Sequence, residues 1–305
     1  MSSVVAIALL VAGIGLVVGG AELFFEGLLS AAARLRVSAF ALTAVVSGFE
    51  LENLAAGIAA NAKGLPGAAA GTFLGGTTFL ALGVAGIGAL LAPIRADLPR
   101  ATILWLLVSP WPLLVVSVDG ELSRVEGAIL IAWFGVALFG MVRAGRSMVV
   151  ETGPPEPKRR PLFRVIAGLA VLTGGGVVLG DGLRRVVGDL GVSQTLLGNT
   201  AIAASVEAEE IGRVAVPARR GRGDVALANI GGTIVHFVAF NAGVIALVRP
   251  LHLDSDSLHL HLPMSVAATA VLCAALWLGR GLGRATGVLF VALYLGYVAT
   301  AIAIA

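Results

Sequence analysis

The chain lacks most of the chemistry on which a soluble enzyme is built. It has one cysteine in 305 residues, Cys273, set in an apolar run, which excludes a disulfide framework and a thiolate metal site. Only 13% of its residues are charged, about half the ~25% typical of soluble domains. It has no phosphate-binding loop, no HExxH pair and no nucleophile elbow, so ATP-driven transport and hydrolysis find no support. Met1 to Val18 carries no basic n-region and no small-residue cleavage site, so it reads as the start of a first span and not as a signal peptide. The net charge of +3 does not point to nucleic acid, because the basic residues fall in short loops between apolar runs, where membrane topology accounts for them.

What the chain does have is apolar length, with 58% hydrophobic residues. About 20 apolar residues cross a bilayer core. Ten segments qualify: 3–23, 37–62, 67–92, 100–118, 124–143, 162–182, 192–217, 223–248, 262–279 and 283–304. Lipid offers the backbone no partner, so each is expected to be a helix. The expected class is an all-α integral membrane protein with ten transmembrane helices. With the N-terminus placed outside, fifteen basic residues fall in cytoplasmic loops. Five (Lys63, Arg124, Arg184, Arg185 and Arg249) fall outside, and Arg213 lies within a span. That bias sets the orientation, with both termini outside a plasma (inner) membrane.

One linker is evident. Glu151-Thr152-Gly153-Pro154-Pro155-Glu156-Pro157 runs into Lys158-Arg159-Arg160, a proline- and charge-rich stretch that reads as irregular and solvated. It divides the chain into an N-terminal repeat (1–143), a cytoplasmic tether (144–161) and a C-terminal repeat (162–305), with five spans in each repeat.

Two acidic stretches lie inside apolar runs: Ser47-Gly48-Phe49-Glu50-Leu51-Glu52-Asn53, and Ala204-Ser205-Val206-Glu207-Ala208-Glu209-Glu210. A carboxylate at bilayer depth costs several kcal/mol, roughly 2.5–3.5 on insertion scales, and marks an ion or substrate path. The stretches are related by a shift of 157 positions. It carries Thr43-Ala44 to Thr200-Ala201, Glu50 to Glu207, Glu52 to Glu209, Asn53 to Glu210 and Lys63-Gly64 to Arg220-Gly221. One residue of slippage carries Gly75-Gly76-Thr77 to Gly231-Gly232-Thr233. Five spans per half put the second copy upside down, the arrangement that builds a midplane site in secondary transporters.

Residues three apart share a helix face, so Glu50 pairs with Asn53 and Glu207 with Glu210. Glu52 and Glu209 point a quarter-turn or more away. Two such helices meeting antiparallel would offer a hard cation the oxygens it needs, 6–8 for calcium. The Gly-Gly pairs permit close helix approach or a local break that frees carbonyls, and Thr77, Thr78 and Thr233 add hydroxyls. Arg213 follows Glu209 by four and Glu210 by three, so it can neutralise one carboxylate within its own helix. Close like charges favour protonation of the empty site, so proton exchange is natural. The ligand set expected is Glu50, Glu52, Asn53, Thr77, Glu207, Glu209, Glu210 and Thr233.

These features resemble the calcium/cation antiporter superfamily, which includes sodium/calcium and calcium/proton exchangers, over nearly the whole chain. Its repeats read Gly-Thr-Ser-x-Pro-Glu or Gly-Asn-x-x-Glu, followed by a Lys-Gly turn and a Gly-Asn-x-x-Gly-Ser-Asn helix. Ala59-Ala60-Asn61-Ala62-Lys63-Gly64 and Gly223-Asp224 through Thr233 look most like that pattern. In the Pro-Glu register Glu210 takes the ligand position, and Asn53 stands at its first-repeat counterpart. In the other register Gly48 to Glu52 and Ser205 to Glu209 fit. Asn229 takes the first asparagine and Thr233 the serine, whereas Phe73 and Ile234 replace asparagines and Arg213 is foreign to a cation cavity. The resemblance implies antiport of calcium or a related cation against sodium or protons by alternating access, with the first and sixth spans sliding past the acidic helices. The alternative is an exchanger scaffold turned intramembrane enzyme or receptor. No cofactor is expected beyond the transported cations. The expected partners are the bilayer and inorganic cations, with no nucleic acid and no obligate protein.

Four features stay open. Glu22 and Glu26, one turn apart at the cytoplasmic end of the first span, either line an access path or reach to the interface. Asp181 holds a comparable place in the sixth span. His236 relays protons or is a buried hydrogen-bonded histidine. His252, Asp254, Asp256, His259 and His261 form an outer loop whose spacing matches no standard metal motif.

Overall fold

A computed structural model of the chain describes residues 2–48, 50–148, 160–188, 208–279 and 281–304. It is almost entirely helical. Among the described residues seven helices are long and apolar enough to cross a membrane: Val5–Leu35, Pro66–Leu91, Arg124–Ala144, Pro161–Gly182, Gly223–Val248, Ser257–Leu278 and Arg284–Ile304.

Three of the ten expected segments look different. Segment 37–62 is two helices, Ala39–Val46 and Leu51–Ala62. Segment 100–118 is also broken, into Arg100–Val108 and Trp111–Val116, where Pro110 and Pro112 remove backbone donors. Of segment 192–217 only 208–217 is described, and it is helical. The linker at 149–159 and residues 189–207 lie outside the described residues. Two antiparallel pairs of two-residue strands complete the chain, Ile94–Arg95 with Gly281–Leu282 and Glu121–Leu122 with Leu251–His252.

The chain forms two compact units that do not follow the sequence halves: 1–39 with 150–221, and 40–149 with 222–305.

In the first unit, Ser2–Leu35 (α1) packs along Pro161–Gly188 (α2). The contact is made by glycines spaced seven apart on each helix. Gly13, Gly20 and Gly27 meet Leu179, Leu172 and Val165. Reciprocally, Gly168, Gly175 and Gly182 meet Phe24, Val17 and Leu10. As one series rises the other falls, so the helices are antiparallel. A repeat of seven keeps one seam facing its partner along the whole length. Small residues let the backbones approach where lipid supplies no hydrophobic drive. A third helix covers residues 208–219 (α3), and Gly212 packs near Val17.

The second unit is built on two largely buried helices, Pro66–Leu91 (α4) and Gly223–Val248 (α5). Each widens into a π-helical turn, at Phe79–Val84 and His236–Asn241, again 157 positions apart. Arg124–Ala144 (α6) packs on the end of α5, with Gly127 against Gly243. Arg284–Ile304 (α7) packs on the end of α4, with Gly86 against Gly287. Backbone turns recur at the same spacing: Gly64 and Gly221 both have φ +73°, a conformation that glycine adopts without steric cost.

Candidate functional site

In the second unit, the first acidic stretch is a break in a helix. Helix Ala39–Val46 stops, and Leu51–Ala62 starts with Glu50 as N-cap at φ −86° and ψ 82°. A chain that leaves the helix exposes carbonyls its own ladder would have used. One is taken up across the unit: Thr233 Oγ1 donates to the Ser47 carbonyl at 3.3 Å. Thr233 lies on α5, and the close approach is made possible by glycines. A Cβ on Gly232 would strike the Ala44 carbonyl, and one on Gly48 would strike the His236 ring.

Glu50 is half-buried, and its Oε2 accepts from Asn53 Nδ2 at 2.6 Å. The three-residue spacing thus brings the carboxylate and the amide together as expected. Glu52 lies on the exposed side of the same helix. Thr77 is fully buried and donates to the Phe73 carbonyl of its own helix at 2.7 Å. Asn229 and Phe73 are buried as well. His236 is wholly buried, with Nδ1 2.8 Å from the Gly232 carbonyl and the edge of Phe134 4.6 Å away between ring centroids. His236 is thus a buried, hydrogen-bonded histidine, as one of its two readings has it.

In the first unit, Glu207 lies outside the described residues, whereas Glu209 and Glu210 are 6% and 3% exposed on α3. Both are ion-paired to Arg213, itself 6% exposed: Nη2 with Glu209, and Nη1 with Glu210 at 2.7 Å. The sequence allowed this arginine to neutralise one carboxylate, but its two-nitrogen fork engages two. Thr173 of α2 donates to Glu209 Oε2 at 3.0 Å, and the guanidinium lies 5.8 Å from the Phe24 ring centroid of α1. Neither Thr173 nor Phe24 was anticipated. The seven-residue glycine spacing is the one sequence signal that aligns α1 with α2.

Glu22 and Glu26 are also paired within this unit, with Arg220 at 3.0 Å and Arg164 at 3.2 Å. They reach basic partners and are part-exposed. Asp181 is exposed. Among the described residues no three His, Cys, Asp or Glu side chains come together as a metal site. The histidines between α5 and α7 have other partners: His261 Nδ1 lies 2.7 Å from the Tyr297 hydroxyl, and His259 Nδ1 3.0 Å from the Ser255 carbonyl. Burial works to raise the Asp254 carboxyl. The Ser257 hydroxyl and N–H, with His261 and His252 nearby, outweigh it and hold the group below the ordinary carboxylate value.

The sodium/calcium exchanger protein family matches residues 5–143 and 161–303, and the chain belongs to it. It is 28% identical over 303 residues to "Putative antiporter CaxA" of Alkalimonas amylolytica, covering 93% of this chain and 95% of the relative. It is 24% identical over 304 residues to inner membrane protein YrbG of Escherichia coli (strain K12), covering 91% and 92%. A solved structure of the sodium-calcium exchanger NCX_Mj, soaked with zero Na+ and Ca2+, superposes with a TM-score of 0.80. The two are 23% identical, and the match covers 97% of this chain and 98% of that one. The chain is therefore a multi-pass membrane protein of the cation-exchanger class.

Proposed function

We propose that the protein is a secondary antiporter that exchanges Ca2+, or a related cation, for Na+ or H+ by alternating access. The observation that carries the reading is Glu209 and Glu210 buried side by side in an apolar helix of an exchanger-family chain. Such groups are retained at membrane depth for ion traffic. The proposed ligands are Glu50, Asn53, Thr77, Glu209, Glu210 and Thr233, with Glu52 and Glu207 as further candidates. Carbonyls released at the break before Glu50 supply neutral oxygens of the kind calcium accepts.

The fold reading that goes with it is two inverted five-helix repeats, ten spans in all, with both termini outside the plasma (inner) membrane. It is supported by the features recurring at 157 positions, the π turns at Phe79–Val84 and His236–Asn241 above all. No cofactor, nucleic acid or obligate protein partner enters this scheme. The bilayer and the inorganic cations are its only partners.

The test is counterflow in proteoliposomes: radioactive calcium taken up against an imposed sodium or pH gradient. Uptake under one gradient is expected, and its absence under both would remove the antiport reading. A second reading has one observation in its favour. Arg213, paired to both glutamates, fits a scaffold that has given up cation exchange for an enzymatic or receptor role. That reading predicts no flux of any cation.

A further inference from the structure

Arg213 is the one lysine or arginine that lies more than two residues from the end of a predicted span, and it is buried where two carboxylates of the proposed ligand set are buried. Its fork is held from three directions: Glu209 and Glu210 on its own helix, Thr173 through Glu209, and the Phe24 face. An arginine stays protonated at any physiological pH, so proton release does not vacate the position. Two carboxylates carry two negative charges, and the guanidinium cancels one of them for any ion that binds beside it.

We propose that Arg213 acts as a resident cation of the second acidic stretch, reducing by one the charge that Glu209 and Glu210 offer a transported ion and so biasing selection from divalent toward monovalent cations. The inference rests on the exchanger reading and names its charge class. Its physical basis is Coulombic. A unit charge about 4 Å away repels a divalent ion twice as strongly as a monovalent one, a difference of about 1 kcal/mol in water, or about fivefold in preference, and more at the lower dielectric of a protein. The family resemblance alone points to calcium. The guanidinium supplies part of the charge that calcium would otherwise bring.

The experiment compares uptake of labelled calcium and labelled sodium into proteoliposomes for the wild type and three variants. Arg213→Gln removes the resident charge, and the calcium-to-sodium preference is expected to rise by about tenfold or more. Glu209→Gln/Arg213→Gln returns the pair to its original net charge, and the preference is expected to fall back toward the wild-type ratio. Arg213→Lys keeps the charge but not the fork, and is expected to keep the wild-type preference at lower rate. A structural arginine would behave otherwise: lysine and glutamine would both lower all fluxes without changing the ratio, and that result overturns the inference. Should the single glutamine variant not fold, Arg213→Met makes the same charge change with an apolar side chain of similar length, and is expected to raise the ratio in the same way; an unchanged ratio there overturns the inference. A shifted ratio in the charge-balanced double variant overturns it. Absence of all cation flux in the wild type overturns the exchanger reading itself, an outcome separate from an unchanged ratio.

Discussion

Glu209 and Glu210 are held by one arginine, so neither can be neutralised without disturbing the other. With Arg213 in place, Glu209→Gln or Glu210→Gln brings the net charge of the cluster to zero and is expected to abolish cation uptake, whereas removing Arg213 as well restores the charge and with it measurable uptake. Each single variant leaves the buried guanidinium one partner short, and breaking a buried pair typically costs about 3–5 kcal/mol. Unfolding temperature in detergent, measured beside uptake, separates the two effects. Gly48 gives a second test. A methyl there would collide with His236, so Gly48→Ala is expected to destabilise by about 1–3 kcal/mol, as overpacking does. In a His236→Ala background the further cost of Gly48→Ala is expected to vanish if the ring is the obstacle, a comparison made as a double-mutant cycle. At Asp254 the folded carboxyl is held low. It therefore contributes stability above the ordinary carboxylate value, and that contribution is lost as pH falls through the lower folded value. Asp254→Asn is expected to remove this acid-limb dependence from a series of unfolding temperatures against pH.

At the scale of elements, some of the arrangement was readable and some was not. The spacing of three and four named the partners of Arg213, and three likewise joined Glu50 to Asn53, because helix geometry is local. The long apolar runs gave the helices. The break at 47–50 was not readable. Nothing but Gly48 marks it, and it is sustained by contacts with α5, more than 180 residues away in sequence: Thr233 on Ser47 and His236 against Gly48. Thr173 was hidden for the same reason. The glycine ladder of α1 and α2 was present in the sequence as two series spaced seven apart, but a series becomes a contact only when its partner is known. A Cβ on Gly20 would meet the Leu172 backbone nitrogen 2.6 Å away, whereas Gly19 has open space. Gly20→Ala is thus expected to lower the unfolding temperature while Gly19→Ala, with its better helix propensity, does not.

For the whole molecule the repeat makes a topological claim. Ala62 and Arg219 are 157 positions apart, and both are exposed at the ends of their helices. An inverted second copy puts them on opposite sides of the membrane. Cysteines introduced at these two positions are expected to react with a membrane-impermeant maleimide from opposite faces. The native Cys273 is buried and leaves a low background. Labelling of both from one face would rule out the inverted arrangement.

The widened turns at Phe79–Val84 and His236–Asn241 carry a consequence for how the gene can change length. A π turn stores one residue beyond the ordinary helical count. Removing a single amino acid there tightens the coil locally and leaves the rest of α4 or α5 facing its neighbours unchanged. The same deletion a few turns away would rotate everything downstream by ~100°. These two stretches are the places in the buried helices where evolution, or an engineer, can shorten the chain without scrambling the faces that pack.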